Sequence, residues 1–140
     1  REFVTINAGT HITTALGDGA VMLRGSHAGH DALIGPGATV SCDVLLGGHV
    51  VVGEGANLGL GAVVHQYRRI GAFAMVGMNA TVTRDIPPFV TAVGSPARPR
   101  GLNTTGIERA GLDAARKALR PEGVLAVWSA GVKGHQLLRS

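Results

Sequence analysis

From Leu16 to Pro87 the chain repeats every six residues. The first residue of each six is Leu16, Met22, Ala28, Ile34, Val40, Leu46, Val52, Leu58, Val64, Ile70, Val76 and Val82, all of them apolar. The fifth is usually small, as at Ala32, Ala38, Ala56, Ala62, Ala74 and Ala80. The second is usually Gly, as at Gly17, Gly29, Gly35, Gly47, Gly53, Gly59, Gly71 and Gly77, where we expect it to supply turn dihedrals that other residues resist. A period of six fits neither a helix at 3.6 nor an isolated strand at 2. It fits a solenoid of short strands, each giving one aliphatic side chain to a shared interior. Three sixes close a triangular coil, so residues eighteen apart stack. The predicted fold is mainly β: a left-handed parallel β-helix of hexapeptide repeats, an exception to the usual right-handed crossover.

The phase runs backwards to Val4 with Ala8 and weakens at Thr10. The sequence thus reads as opening inside a coil. Coils further upstream in a parent protein, or else another surface, are expected to cover that end, because a cut solenoid exposes strand edges and apolar interior. At the other end, Asp85-Ile-Pro-Pro-Phe89 is expected to stop the repeat, since proline donates nothing to a ladder. Thr91 to Arg100 reads as an extended exit. Asn103 or Thr104 can cap a short helix through Ala110. Leu112 to Arg120 and the stretch from Pro121 read as two more helices. The chain divides into a β-helix over 1–100 and a small α-helical C-terminal appendage over 101–140.

Stacking at eighteen residues places the sixes that begin at Ala28, Leu46 and Val64 on one face. That face carries His30, His49 and His65, with His27 at the corner before it. The six at Val64 also breaks the rule, with His65 in place of Gly and Arg68 in place of a small residue; such local failures mark functional sites. Imidazole transfers protons near neutral pH. Asp31 follows His30, but adjacent strand residues point to opposite faces. A direct bond between them needs a turn, which Gly29 permits. Two chemistries fit the strip. One histidine can act as a general base, with backbone N–H groups at Gly47–Gly48 holding an oxyanion. Alternatively, His27, His30 and His49 can hold zinc with an open position, as in the γ-class carbonic anhydrases, which share this helix.

Composition narrows the setting. Hydrophobic residues make up 45% of the chain and aromatics only 4%, so the core is aliphatic. The single Cys42 excludes an intrachain disulfide framework and points to a reducing compartment, hence a cytoplasmic location. No apolar run reaches the roughly 20 residues of a membrane span, so no integral membrane segment is expected. The net charge of +4 sits late in the chain without interleaved aromatics. That argues against nucleic acid and for an acidic protein or a phosphorylated ligand.

The stretches REFVTINAGT (1–10), HAGHD (27–31), GGHV (47–50), VVHQY (63–67), IGAFAMVG (70–77), DIPPFV (85–90) and GLNTTGIERAGL (101–112) together resemble the acyl-carrier-protein-dependent UDP-N-acetylglucosamine O-acyltransferases of lipid A synthesis. The resemblance implies a homotrimer with active sites between subunits. It implies transfer of a (3-hydroxy)acyl group from acyl carrier protein to the 3-hydroxyl of a UDP-amino sugar, with no cofactor and no metal. His30 then matches the general base, with Asp31 beside it, and Gly48 the oxyanion donor. His27, His49, His65 and Gln66 match substrate contacts, and Asn103 and Arg109 contacts to the UDP part. Met78 sits where the family sets acyl-chain length, and its bulk implies a medium chain. Thr105 and Ala110 stand where the family has Glu and a second Arg, and GSPAR (94–98) is an exit shared by many hexapeptide transferases. Another hexapeptide acyltransferase, the zinc enzyme and a non-catalytic paralogue are the alternative readings.

Overall fold

A computed structural model describes residues 1–111; the two helices expected beyond them lie outside the described residues. The chain winds as a three-walled parallel β-helix. The first wall stacks β1 (Thr5–Ile6), β4 (His27–Ala28), β7 (Leu45–Leu46), β10 (Val63–Val64) and β13 (Thr81–Val82). The second stacks β2 (Ala15–Leu16), β5 (Leu33–Ile34), β8 (Val51–Val52) and β11 (Arg69–Ile70). The third stacks β3 (Val21–Met22), β6 (Thr39–Val40), β9 (Asn57–Leu58), β12 (Met75–Val76), β14 (Val90–Val93) and β15 (Arg98–Leu102). The register pairs Ala28 with Leu46 and Leu46 with Val64, eighteen residues apart as the sequence predicts. The first residues of the sixes from Met22 to Val82 are all buried, and Leu16 is exposed at the upper end. Each such side chain contributes roughly 1.5–3 kcal/mol if large and fully buried. Among the described residues no helix is long and apolar enough to cross a membrane.

Three local expectations are corrected. The first concerns glycine. Positive φ falls on the fourth residue of each six from Leu16 to the one that begins at Val76, at Gly25, Asp31, Gly37, His49, Gly55, Gly61, Tyr67 and Phe73 among others, and not on the second. The second-position Gly is there for space: a Cβ on Gly29 would sit 2.7 Å from the backbone of Gly47 on the next rung, and one on Gly47 would sit 2.7 Å from the Gln66 nitrogen.

The second correction concerns phase. Ile6, not Val4, lies over Ala28, so the first coil is longer than eighteen residues. The excess is a loop over residues 7–14 at the corner between the first and second walls. Val4 packs on the core as a fifth-position residue.

Third, the proline pair shortens the solenoid without ending it. Ile86 bridges to Ile70, and β14 continues the third wall with Ala92 beside Val76, in both cases sixteen residues apart instead of eighteen. Pro87 and Pro88 then occupy second and third positions on the last coil. Among the described residues, no further rung of that wall lies beneath them to accept an N–H. Strand β15 turns back antiparallel on β14 and runs across residues 100 and 101. Helix α1 (Thr104–Ala110) follows, with Asn103 as its N-cap residue but without a side-chain capping bond. Instead the Asn103 amide donates to the Phe73 carbonyl at 2.8 Å, which ties the helix start to the coil. Ile107 and Ala110 pack on Phe89, itself stacked on Phe73.

Candidate active site

The corner between the first and second walls gathers His30, Gly48 and Gln66 on successive rungs, because each is the third residue of its six. His27 and His65 flank them on or beside the first wall. Together with Asn7, Gly29, Leu45, Gly47 and Val63 these residues line a groove of about 400 Å³. His49 lies at the same corner. The sequence-predicted strip is therefore assembled.

The turn expected between His30 and Asp31 is present, but Asp31 itself makes it, with φ 60°. The left-handed conformation swings the carboxylate back beside the preceding imidazole, and His30 Nδ1 lies 2.7 Å from Asp31 Oδ2. Asp31 is 1% exposed. Its Oδ1 accepts the backbone N–H groups of Thr10, His11 and Ile12 at 2.9, 2.7 and 2.7 Å. Its Oδ2 also accepts the Thr10 hydroxyl at 2.6 Å. Burial pushes the carboxyl up, but the bonds from Thr10, His30, Ile12 and His11 outweigh it and hold the pKa well below the usual carboxylate range. An ionised carboxylate only accepts, so neutral His30 carries its proton on Nδ1 and offers a lone pair at Nε2.

The Nε2 end of the ring lies against Gly48. The His30 ring packs so closely that a Cβ on Gly48 would lie 2.6 Å from Nε2. Among the described residues, no backbone hydrogen bond uses the N–H of a third residue of a six, and the Gly48 N–H is one of these. A base and a free amide donor thus stand side by side over a groove whose floor is partly apolar.

The surrounding rings form a layered cluster. His49 stacks on Tyr67 at 4.5 Å between centroids, meets His11 at 5.8 Å and takes His30 edge-on at 5.1 Å. His49 Nε2 lies 3.5 Å from Asp31 Oδ2. His27 bonds Thr5 through Nδ1 at 2.7 Å. His65 Nδ1 donates to the Gln66 carbonyl at 3.2 Å, and Arg68 Nε reaches the same oxygen at 3.3 Å.

Sequence reasoning missed Thr10, His11, Ile12 and Tyr67. The weakening of phase at Thr10 was the signal for the first three, since an insertion at a corner carries no repeat of its own.

Asn103 and Arg109 do not join this groove within one chain. Arg109 lines a smaller cleft with Pro36, Gly37, Glu54, Gly55 and Phe73, at the corner between the second and third walls. Met78 is 68% exposed at the remaining corner, in register with Leu60.

Among the described residues of one chain, no three-histidine zinc set is assembled. The metal-ligand-type cluster among the described residues is His30, Asp31 and His49. Its closest pair, His30 Nδ1 and Asp31 Oδ2, is at hydrogen-bond distance, and Asp31 Oδ2 already accepts the Thr10 hydroxyl. Zinc binds ligand atoms at about 2.0–2.2 Å, so it would have to enter between partners already bonded to each other.

Residues 85–121 match the family described as UDP N-acetylglucosamine O-acyltransferase, domain 2. An acyl-[acyl-carrier-protein]–UDP-N-acetylglucosamine O-acyltransferase of Burkholderia orbicola is 42% identical over 124 residues, covering 86% of this chain and 47% of the relative. Among solved structures, the Arabidopsis UDP-N-acetylglucosamine acyltransferase superposes with a TM-score of 0.77 at 33% identity, over 85% of this chain and 45% of that one. The UDP-N-acetylglucosamine O-acyltransferase of Moraxella catarrhalis superposes with a TM-score of 0.75 at 30% identity, over 81% and 46%. The chain therefore belongs to the acyl-[acyl-carrier-protein]–UDP-N-acetylglucosamine O-acyltransferase family and spans about half the length of the curated relatives it matches.

Proposed function

We propose that this chain carries the acyl-transfer site of an enzyme moving an acyl group from acyl carrier protein to the 3-hydroxyl of UDP-N-acetylglucosamine or a related nucleotide amino sugar. The observation that carries the reading is the His30 imidazole, held on Nδ1 by Asp31 and presenting Nε2 beside the Gly48 amide. Nε2 takes the proton from the sugar hydroxyl as that oxygen attacks the thioester carbonyl. Charge developing on the carbonyl oxygen is met by the Gly48 N–H, a type of contact worth roughly 10²–10³ in rate. Asp31, kept ionised, stabilises the imidazolium. Collapse of the tetrahedral intermediate breaks the C–S bond, and the thiolate of the carrier-protein arm takes the proton back from His30. General acid–base transfer of this kind contributes roughly 10²–10⁴. The chemistry asks for no cofactor and no metal.

His27, His49, His65 and Gln66 are assigned to substrate, and Asn103 and Arg109 to the UDP part. Asn103 and Arg109 reach the reacting groups only if a neighbouring subunit brings that corner against the His30 groove. A homotrimer with sites at its seams accounts for the separation. Replacing His30 with Ala should abolish turnover while leaving the circular dichroism and the sedimentation coefficient unchanged. Activity at the level of the unaltered chain would reject His30 as the base.

A further inference from the structure

We propose that Thr10 is a positioning residue for the base, so that the loop over residues 7–14 acts as a clamp fixing the Asp31–His30 pair. The proposal rests on the acyl-transfer reading for its kinetic consequence, but not for its structural one. Three consecutive N–H groups, from Thr10, His11 and Ile12, converge on a single oxygen, Asp31 Oδ1. Such a nest binds an anion. The other oxygen is shared between the Thr10 hydroxyl at 2.6 Å and His30 Nδ1 at 2.7 Å. Thr10 Oγ1 also lies 3.5 Å from His30 Nδ1, so the three groups form one triangle. A return bond closes the clamp: the Asp31 N–H donates to the Thr14 hydroxyl at 2.9 Å.

The loop is inserted where the hexad needs nothing. The first coil has twenty-two residues from Ile6 to Ala28, against eighteen on the rungs below it. The described ladder is intact above and below the insertion, so the extra residues add no rung. What they add is the hydrogen bonding around Asp31. Gly9 makes the loop possible, since a Cβ there would collide with the Ile12 carbonyl.

The titratable groups facing the Asp31 carboxylate are His30 on its own turn and His49 from the coil below, the latter covered by His11 and Tyr67. With both Asp31 oxygens held, the carboxylate cannot rotate away, and the His30 proton is pinned to Nδ1. Without the Thr10 hydroxyl, Oδ2 keeps one partner fewer, and the ionised form loses a charge-assisted bond.

Thr10 lies at the surface, so a change there leaves the solenoid core untouched. The test compares Thr10→Val, which deletes the hydroxyl at constant shape, with Thr10→Ser, which keeps it. Carboxyl carbon NMR should show Asp31 titrating at higher pH in Thr10→Val than in the unaltered chain, and imidazole nitrogen NMR should show His30 losing its pure Nδ1–H tautomer. Thr10→Ser should restore both. In the acyl-transfer assay, Thr10→Val should lower kcat by about tenfold with KM changed less than about twofold. If Thr10→Val leaves the Asp31 titration and the His30 tautomer as they were, the proposal is overturned. If both spectra change but no variant, nor the unaltered chain, transfers an acyl group, the acyl-transfer reading fails and the clamp stands.

Discussion

A methyl group on Gly48 would sit 2.6 Å from Nε2 of His30. The glycine is therefore the seat of the imidazole as well as the neighbouring amide. Gly48 does not need a positive φ, so alanine fits the backbone and the ring must move. Gly48→Ala should leave the melting temperature within a few degrees and, by displacing the imidazole, lower kcat by about a hundredfold. The backbone N–H survives this change, so an unchanged kcat would mean that the ring position at this rung does not matter to turnover.

Acid should weaken the protein through Asp31. The folded chain holds this carboxyl below its ordinary value of 3.8, so the ionised form stabilises the fold above that value. That contribution is lost as pH falls from the unfolded-state value through the depressed folded one. Asp31→Asn should be less stable than the unaltered chain at neutral pH, with the gap narrowing below about pH 4. Urea unfolding at neutral pH and near pH 3 checks this, and a gap that widens in acid contradicts it.

Met78 and Leu60 form an exposed apolar pair in register on adjacent rungs, at the far edge of the first wall from His30. The same wall turns Leu45 and Val63 outward. If the acyl chain runs along this wall, Met78 is its stop. Met78→Gly should shift selectivity to longer chains, by about fourfold in kcat/KM for each methylene newly accommodated. Measuring kcat/KM across a series of acyl carrier proteins tests it, and an unchanged optimum removes Met78 from that role.

Arg109 shares its cleft with Glu54 and the Phe73 ring, a setting suited to one charged and one flat part of a nucleotide. Arg109→Ala should raise the KM for the nucleotide sugar by about tenfold and lower kcat much less. The reverse split would place Arg109 with the reacting groups, and no change in either would end its assignment to UDP.

The walls of the helix were legible because a stacked rung leaves no freedom: Leu46 must lie over Val64, so the apolar position recurs without a slip. The strip of His30, His49 and His65 followed from the same count. The reason for the glycines was not legible, because sequence does not distinguish a residue excluded by a dihedral from one excluded by the rung below. Gly29 and Gly47 are cases of the second kind, and Asp31, His49 and Tyr67 took the dihedrals instead. Pro87 and Pro88 read as a terminator only where every N–H of a wall is used in a ladder. The loop carrying Thr10 showed only as a weakening of phase, and its role was illegible for a related reason. It contributes hydrogen bonds to one carboxylate, and such bonds leave no periodic trace. The hydroxyl and amides that hold Asp31 are identifiable only once the coil is closed.

The unused amide beside His30 has a wider consequence. The backbone repeats it on each storey of this corner, with Gln66 and Arg84 at the equivalent places. Storeys are about 4.8 Å apart. The scaffold thus offers the same donor at several heights, and under the acyl-transfer proposal the Asp31-held imidazole selects the one that is used. Moving the His30–Asp31 pair together with its loop by eighteen positions would shift the base by a single floor, which makes the corner a vernier for setting how far the base sits from the rest of the groove.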